Sequence, residues 1–353
     1  MTEPRIVGDP AAVSAEWLTE VLRHAGYDMT VTGFEAANVG TGQVGQNVRF
    51  NLTQRSGEGP SSIVGKFASA DPVSRATGIE QGNYASEVHF YRELRTRTAV
   101  QTPQVLFTQI EPSTSEFCLI MEDLHPARQG DQIEGCSAEQ ATLAVQQAAA
   151  LHGPTWNRPF LGEDAMIARN VEDPGGQLEG TWSMFCPAFI ERYREHLEPR
   201  HLDLLNRFGA LARRYGEGLS DVAALTHGDF RLDNMMFGGP YPLAVVDWQT
   251  PRAGHPVADV SYFIGAGLTR ERRRAHEEAL IQSYVDALSE HGVSYPFDDC
   301  WTAYRFHAFS GLLMAVFASM IVGQTDRGDA MFMAMATRHA DQAIDLDSEA
   351  LLA

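Results

Sequence analysis

A segment in the second half of the chain, residues 226–234, carries the most specific chemical pattern. It reads T-H-G-D-F-R-L-D-N, so four residues separate Asp229 from Asn234. In phosphoryl-transfer sites this spacing allows an Asp to accept the proton of a substrate hydroxyl and an Asn to bind magnesium. Asp247 follows at the end of the apolar run A-V-V-D-W-Q, where a carboxylate can bind Mg²⁺ that bridges phosphates. The alternative is an Asp/Asn-rich turn whose side chains only cap local structure.

Four other residues in or near this segment have predicted supporting roles. Arg231, two residues after Asp229, is expected to reach the transferring phosphoryl group and offset its charge. His227 and Trp248 are expected to pack rather than to titrate. Asp259 is expected to start a helix and either to brace the loop or to act only as a helix N-cap.

The first half of the chain carries a glycine-rich loop. Gly40, Gly42 and Gly45 spell G-x-G-x-x-G, and glycines let backbone N–H groups approach a phosphate closely. A dinucleotide-binding loop would open a helix and be followed by an acidic residue about 20 positions later. Here a strand follows, and the charged residue on the next strand is Lys66. This context favours a strand–loop–strand cover over ATP and argues against an NAD-dependent oxidoreductase; an ordinary glycine-rich hairpin is the alternative.

Lys66 lies in the apolar run I-V-G-K-F-A. A lysine between apolar strand neighbours needs an anion for its ammonium, and a nucleotide phosphate together with a helix carboxylate would supply one. Glu87 on the following helical segment is the best carboxylate, with Glu80 and Glu93 as alternatives. A surface lysine on an edge strand is the structural alternative.

The composition is that of a globular protein. Of 353 residues, 44% are hydrophobic and 21% charged, and the formal net charge is −19. This charge argues against nucleic acid or an anionic membrane as the main partner, and it favours either cationic ligands or simply a well-solvated surface. The four cysteines lack metal-site spacing and are expected to be reduced, and the N-terminus lacks the pattern of a secretory signal. The apolar run 308–322 is expected to be a buried helix, and the protein to be cytoplasmic.

The spacing of apolar residues predicts two regions. Strands are expected at 29–37, 46–53, 61–68, 105–110, 117–121, 235–237 and 243–246. Helices are expected at 14–25, 83–97, 137–152, 182–197, 202–217, 270–291, 298–322 and 329–345. The domain boundary is therefore predicted at 124/125, between a sheet-rich lobe (1–124) and a larger helical lobe (125–353).

The order of these motifs resembles the aminoglycoside phosphotransferase and choline kinase group of small-molecule kinases. H-G-D-F-R-L-D-N, D-W-Q and the run A-x-x-L-H-G-P-T-W are most similar to the ecdysteroid-kinase-like branch. The resemblance implies an α+β, bilobal protein-kinase-like fold with a small antiparallel-sheet N-lobe and a larger, mostly helical C-lobe. It also implies that ATP binds between the lobes, with backbone hydrogen bonds from the connector that includes Met121 and Glu122.

The resemblance further implies ATP and Mg²⁺ as cofactors, Asp229 as the catalytic base, and Asn234 and Asp247 as magnesium ligands. The chain has His-Gly-Asp instead of His-Arg-Asp, and Asp259 follows Asp247 by only twelve residues. Both features leave little place for a phosphorylated activation loop, so the expected acceptor is a hydroxyl of a small molecule. A nucleotide-binding module without turnover is the alternative. The sequence carries no signal for the oligomeric state.

Overall fold

The computed structural model describes residues 3–40, 45–168, 171–219 and 221–353. The chain forms two compact units. The first comprises Met1–Arg97, Thr102–Ala127 and Val246–Thr250, and the second comprises Thr98–Gln101, Arg128–Val245 and Pro251–Ala353. The predicted boundary at 124/125 does not anticipate that residues 246–250, which include Asp247, return to the first unit.

The first unit is built on an antiparallel sheet of five strands. The strands are β1 Thr30–Asn38, β2 Gly45–Ser56, β3 Ser62–Ala68, β4 Val105–Glu111 and β5 Glu116–Glu122. Their order is β1-β2-β3-β5-β4, so β3 is the central strand. Helix α1, Ala15–His24, covers the sheet with Trp17, Leu18 and other apolar side chains of one face. All five strands and this helix were predicted from apolar spacing.

Two further helices of the first unit follow β3. They are α2, Pro72–Glu80, and α3, Asn83–His89. A single helix was expected over 83–97, but the chain widens to a π-turn at Phe90–Leu94 and tightens to a 3₁₀ turn at Arg95–Arg97. Helix α2 was not predicted, although Asp71 caps it and Pro72 stands at its first position, which is a common helix start.

The second unit is mainly helical. Its helices are α4 Ala138–His152, α5 Phe160–Glu163, α6 Pro174–Tyr193, α7 Pro199–Phe208, α8 Ala212–Glu217, α9 Val257–Gly267, α10 Arg270–Glu290, α11 Phe297–Phe306, α12 Ser310–Ile321 and α13 Asp326–Asp345. Its strands are β6 Arg128–Gln129, β7 Ala224–Thr226, β8 Met235–Phe237, β9 Leu243–Val245 and β10 Arg252–Gly254. They form two small antiparallel sheets, β6-β8-β9 and β7-β10. Strands β6, β7 and β10 were not predicted.

Two of the expected long helices of this unit are interrupted. The segment 202–217 forms α7 and α8, and the segment 298–322 forms α11 and α12 with a 3₁₀ turn at His307–Phe309 between them. The stretch Phe297–Ile321 is long and apolar enough to span a bilayer by composition, yet 61% of its most apolar window is buried within the protein. Phe309, Leu312 and Val316 of this stretch belong to the main apolar core of the unit, as the sequence predicted.

Candidate active site

Lys66 lies in the middle of the sheet of the first unit. It pairs with Asn47 on β2 and with Leu119 on β5, and only 7% of its side chain is exposed. Its Nζ lies 2.7 Å from Oε2 of Glu87 and 2.6 Å from Oδ1 of Asp247. The alternative of a surface lysine on an edge strand is therefore wrong, and the carboxylate that pairs with Lys66 is Glu87.

The two carboxylates keep the buried ammonium charged. Burial alone would lower the pKa of Lys66, but Asp247 and then Glu87 outweigh this effect and raise it. Glu87 is 1% exposed, and burial raises its pKa against the opposing influence of Lys66. One ammonium thus faces two carboxylates, of which only Asp247 is partly open to solvent, at 37%.

The segment that carries Asp247 is held by its neighbours in the first unit. Asp247 adopts a left-handed backbone with a φ of 66°, a conformation that Asp tolerates better than most residues. Trp248 stacks on Phe90 with ring centroids 3.7 Å apart, and Gln249 Nε2 donates to Glu87 at 3.4 Å. Trp248 is fully buried, which confirms its predicted packing role.

The glycines of the loop differ in what they do. Gly40 has a φ of +75°, a conformation that favours glycine. A Cβ on Gly45 would lie 3.1 Å from Cε of Lys66 and 3.3 Å from the carbonyl oxygen of Phe67, so this position has room for little more than glycine. Gly42 lies outside the described residues.

The expected adenine connector is partly engaged in the sheet. Met121 lies within β5 and pairs with Val64, and the N–H of Glu122 donates to the carbonyl of Gln104 at 2.9 Å. The expected adenine contact through the N–H of Glu122 is therefore not favoured. Asp123 follows and accepts from Arg49 Nε at 2.6 Å, which ties the connector to β2.

Asp229 lies in a loop of the second unit between β7 and β8. Its Oδ1 accepts from Tyr262 at 2.7 Å, its Oδ2 accepts from Asn234 Nδ2 at 2.9 Å, and both oxygens accept from Arg231 Nε. Burial raises the pKa of Asp229, but the Arg231 charge and the Tyr262 hydroxyl outweigh burial and lower it below the ordinary value. The structure thus brings Asp229 and Asn234 together around an ionised carboxylate.

Asp259 braces this loop from α9. Its Oδ2 accepts from the backbone N–H of His227 at 2.6 Å and lies 3.4 Å from His152 Nε2, and its Oδ1 accepts from the backbone N–H of Gly228 at 3.1 Å. Burial raises its pKa, but these partners, led by His152, lower it overall. The N-cap alternative for Asp259 is wrong, because the helix begins at Val257 and Asp259 lies within its first turn. The bracing role and the buried packing of His227 are confirmed.

Arg231 differs from its expected placement. Its Nε contacts Asp229, and its Nη1 donates to Asp233 Oδ2 at 2.8 Å and to Met331 Sδ at 3.1 Å. The guanidinium therefore lies against two carboxylates and does not extend as a lone charge toward a phosphoryl group. Burial would lower the pKa of Arg231, but Asp229 outweighs it and raises the pKa.

The two predicted metal ligands fit magnesium as oxygen donors. Both hydrogen bonds of the Asn234 amide nitrogen go to Asp229, which leaves the carboxamide oxygen as the available ligand atom. Asp247 uses Oδ1 for Lys66, and its side chain is partly exposed. No cluster of three or more His, Cys, Asp or Glu suited to a metal occurs in the described ranges. Mg²⁺ does not need such a cluster, since it is commonly held by one or two protein oxygens together with substrate phosphates.

Some residues of the site were not found from the sequence. Tyr262 contacts Asp229 from α9, and Asp233 links Arg231 to Arg327 of α13. Tyr262 lies three residues, about one helical turn, after Asp259, so an assignment of Asp259 to the inside of a helix would have placed Tyr262 near the same loop. No local signal marks Arg327, which approaches from a distant part of the chain.

Comparison with known proteins identifies the family. The model of the ecdysteroid kinase-like family matches residues 48–294, which include Lys66, Glu87, Asp229 and Asp247. The chain belongs to the ecdysteroid kinase-like family. Among curated proteins, acyl-CoA dehydrogenase family member 11 of Gallus gallus is 50% identical over 44 residues, 12% of this chain and 6% of that protein. The protein of the same name from Pongo abelii is 26% identical over 128 residues, and the present chain covers only 16% of its length.

Solved structures show the same fold at low identity. A spectinomycin phosphotransferase in complex with ADP and spectinomycin matches 96% of this chain and 99% of its own, at 11% identity and a TM-score of 0.53. A choline kinase of Cryptosporidium parvum matches 90% and 91%, at 10% identity and a TM-score of 0.55. An ethanolamine kinase of Plasmodium vivax matches 86% and 81%, at 10% identity and a TM-score of 0.51. They confirm the α+β protein-kinase-like fold, with a small antiparallel-sheet lobe and a larger helical lobe.

Proposed function

We propose that this family member transfers the γ-phosphoryl group of ATP to a hydroxyl of a small organic molecule. The observation that carries the proposal is the buried ammonium of Lys66, fixed between Glu87 and Asp247 at 2.7 and 2.6 Å. Burial of a lysine ammonium in the centre of a sheet costs free energy that packing alone does not offset. Binding of a triphosphate would give this buried charge a function. The family and the shared fold support the same activity.

The reaction needs little covalent chemistry from the protein. The oxygen of the acceptor hydroxyl attacks the γ-phosphorus, the bond from this phosphorus to the β-bridging oxygen breaks, and ADP leaves. The hydroxyl proton passes to the carboxylate of Asp229. The protein contributes position and charge, since the transition state of phosphoryl transfer is loose.

The residues divide the work between the two units. In the first unit, Lys66 binds phosphate oxygens and Asp247 supplies a metal ligand. In the second, Asp229 orients the acceptor hydroxyl and Asn234 supplies the other metal ligand. Mg²⁺ at these oxygens would neutralise charge on the phosphates. Asp259 acts as a positioning residue, because it fixes the backbone that leads into Asp229.

The first experiment tests Asp229. We expect Asp229→Ala to lower the rate of phosphorylation of a pooled library of hydroxyl compounds by about 100-fold or more, because the hydroxyl loses its base and its orienting partner. ATP binding, measured by calorimetry with MgATP, is expected to persist because Lys66 and Glu87 are unchanged. ADP formation in a coupled assay gives the rate.

The matched control is Asp286→Ala, which removes an exposed carboxylate from α10 and is expected to leave the rate unchanged. Wild-type turnover by Asp229→Ala would refute the role of Asp229. Binding of MgATP by the wild type without any ADP formation across the library would instead favour a module that binds nucleotide without turnover.

A further inference from the structure

Four charged side chains of the second unit, one of them that of Asp229, form a connected group. Arg231 bridges Asp229 and Asp233, and Arg327 from the first turn of α13 contacts both oxygens of Asp233 at 3.3 Å. Asp233 is 6% exposed in its side chain, whereas 43% of the Arg327 side chain is exposed. Two arginines and two carboxylates thus form one network, defined here as the Arg231–Arg327 cluster.

The carboxylates of this cluster have no acceptor capacity left. A carboxylate accepts about four hydrogen bonds. Asp229 already accepts two contacts from Arg231, one from Tyr262 and one from Asn234. Asp233 accepts one from Arg231, one from the backbone of Gln132 and two from Arg327. A cationic group placed here would find the acceptor positions of these two carboxylates already used.

The donors of the cluster are, by contrast, in surplus. A guanidinium carries five N–H bonds. Within the described part of the chain, Nη2 of Arg231 and Nε of Arg327 have no hydrogen-bond partner. Gln132, whose backbone N–H contacts Asp233, also has a fully buried side-chain amide nitrogen without a partner among the described residues. Unpaired donors on two arginines are the chemistry that recognises an anion.

We propose that the Arg231–Arg327 cluster binds a negatively charged group of the acceptor, so that the substrate class is a hydroxyl compound that also carries a carboxylate or a phosphate. This inference rests on the proposed function and names the acceptor chemistry for the same site. An anion on Nη2 of Arg231 competes with the contacts that Nε of the same guanidinium makes to Asp229. Asp229 then regains an acceptor position for the hydroxyl that it must orient.

The Arg231–Arg327 cluster argues against the acceptors for which two of the structural neighbours are named. Choline and ethanolamine are cations at neutral pH, and the kinases named for them share only the fold with this chain. A cationic acceptor would meet two guanidinium groups beside Asp229. Cationic alcohols should therefore be poor acceptors here, despite the net charge of −19 for the whole chain.

The test compares acceptors that differ only in charge. Wild-type protein, MgATP and ω-hydroxy carboxylates of several chain lengths are assayed for ADP formation beside their methyl esters and the matching ω-amino alcohols. Hydroxyalkyl phosphates form a second anionic arm, which distinguishes a phosphate from a carboxylate. We expect kcat/KM for an anionic acceptor to exceed that for its neutral or cationic match by about tenfold or more.

Arg327→Gln is the decisive variant, because Arg327 is exposed and does not contact Asp229. It should raise KM for the anionic acceptor about tenfold, change kcat little and leave the ester unaffected. Arg327→Lys should keep part of the preference for the anionic acceptor over its ester. Arg213→Gln, which removes an exposed arginine that pairs with Asp173 and Glu179, is the matched control and should change nothing.

Each outcome decides the proposal. The anion site is rejected, and the kinase function retained, if esters or amino alcohols have the same kcat/KM as the anionic acceptors. The same conclusion follows if Arg327→Gln keeps the wild-type preference for anionic acceptors. Anionic compounds that raise the melting temperature of the wild type but not of Arg327→Gln, without any turnover, would support the site and reject the function. If no anionic compound is turned over or shifts the melting temperature, the anion site is rejected.

Discussion

Asp229 combines a central position with a lowered pKa. A general base usually works best when its pKa lies near the working pH. Here Arg231 and Tyr262 hold the pKa of Asp229 below the ordinary value of 3.8. Because phosphoryl transfer asks for little proton removal before the transition state, a carboxylate of this kind serves mainly to orient the hydroxyl. Its environment therefore suits phosphoryl transfer better than it suits proton abstraction from carbon.

The pH profile of Arg231→Gln tests this view at the scale of the residue. In the wild type, kcat/KM should fall only as the pH drops through the lowered pKa of Asp229. Loss of the Arg231 charge raises that pKa, so the acid limb of the variant should move upward by about one pH unit or more. The kcat/KM profile, measured with a single acceptor and MgATP, reports this group in the free enzyme.

Arg213→Gln serves as the control, since it removes an exposed arginine of α8 whose partners are Asp173 and Glu179 and not Asp229. The acid limb of the kcat/KM profile of this variant should coincide with that of the wild type. An unchanged profile in Arg231→Gln would contradict the assignment of the acid limb to Asp229.

At the scale of the elements, local patterns predicted the frame of the fold. The strand around Lys66 was predicted because its apolar neighbours and the turn before it are local signals. Helix α4 was predicted over 137–152, and the structure shows both hydrogen bonds of a capping box between Ser137 and Gln140 at its start. Lys66, Glu87 and Asp229 were found for the same reason, because each has a type and a spacing that local sequence carries.

The features that escaped prediction depend on contacts between distant segments. The π-turn after α3 places Phe90 where Trp248 stacks on it, and these residues are far apart in sequence. The placement of Arg231 depends in part on Met331 of α13, which lies 100 residues later in the chain. Such contacts leave no periodic signal, so the sequence predicted the presence of Arg231 near the site but not its partners.

The packing of α12 on α13 depends on a glycine. A Cβ on Gly311 would lie 1.8 Å from Nε2 of His339, whose ring is fully buried. Gly311→Ala should therefore lower the free energy of unfolding by about 2 kcal/mol, in the range of overpacked cores. Equilibrium urea denaturation gives the value.

Gly180→Ala in α6 is the matched control, because an added Cβ there meets nothing within 4 Å. It should stabilise the protein by about 0.5–1 kcal/mol through helix propensity. Equal stability changes in the two variants would contradict the close packing of Gly311 against His339.

At the scale of the whole molecule, net charge and local charge point in different directions. The chain carries 46 acidic against 27 basic residues, which favours solubility and long-range attraction of cations. Among the residues that the structure describes beside Asp229, Arg231 and Arg327 have unpaired donors. Long-range forces between exposed charges are screened within about 10 Å at moderate salt, so the short-range contacts govern recognition. The global charge is therefore a poor guide to the acceptor.

A buried histidine of the second unit contributes to the pH dependence of stability. Burial lowers the pKa of His339 from 6.5 to about 4, with Arg273 and Arg338 adding to the effect and Gln342 opposing it. The unfolded chain binds this proton at a higher pH than the folded chain does. The stability that His339 contributes is therefore complete above pH 6.5 and is lost as the pH falls toward 4, by about 3 kcal/mol in total.

His339→Asn, which retains an amide near Gln342, tests this contribution. Between pH 7 and 4, the free energy of unfolding from urea denaturation should fall by about 3 kcal/mol less in this variant than in the wild type. His125→Asn, which removes an exposed ring, should keep the wild-type slope. Burial also lowers the pKa of His255 to about 4, but His255 is the same in the wild type and in His339→Asn, so the difference between the two curves reports His339. The lowered pKa values of Asp229 and Asp259 act below about pH 4. Parallel curves for the wild type and His339→Asn would show that the ring is already charged in the folded protein, against its burial beside two arginines.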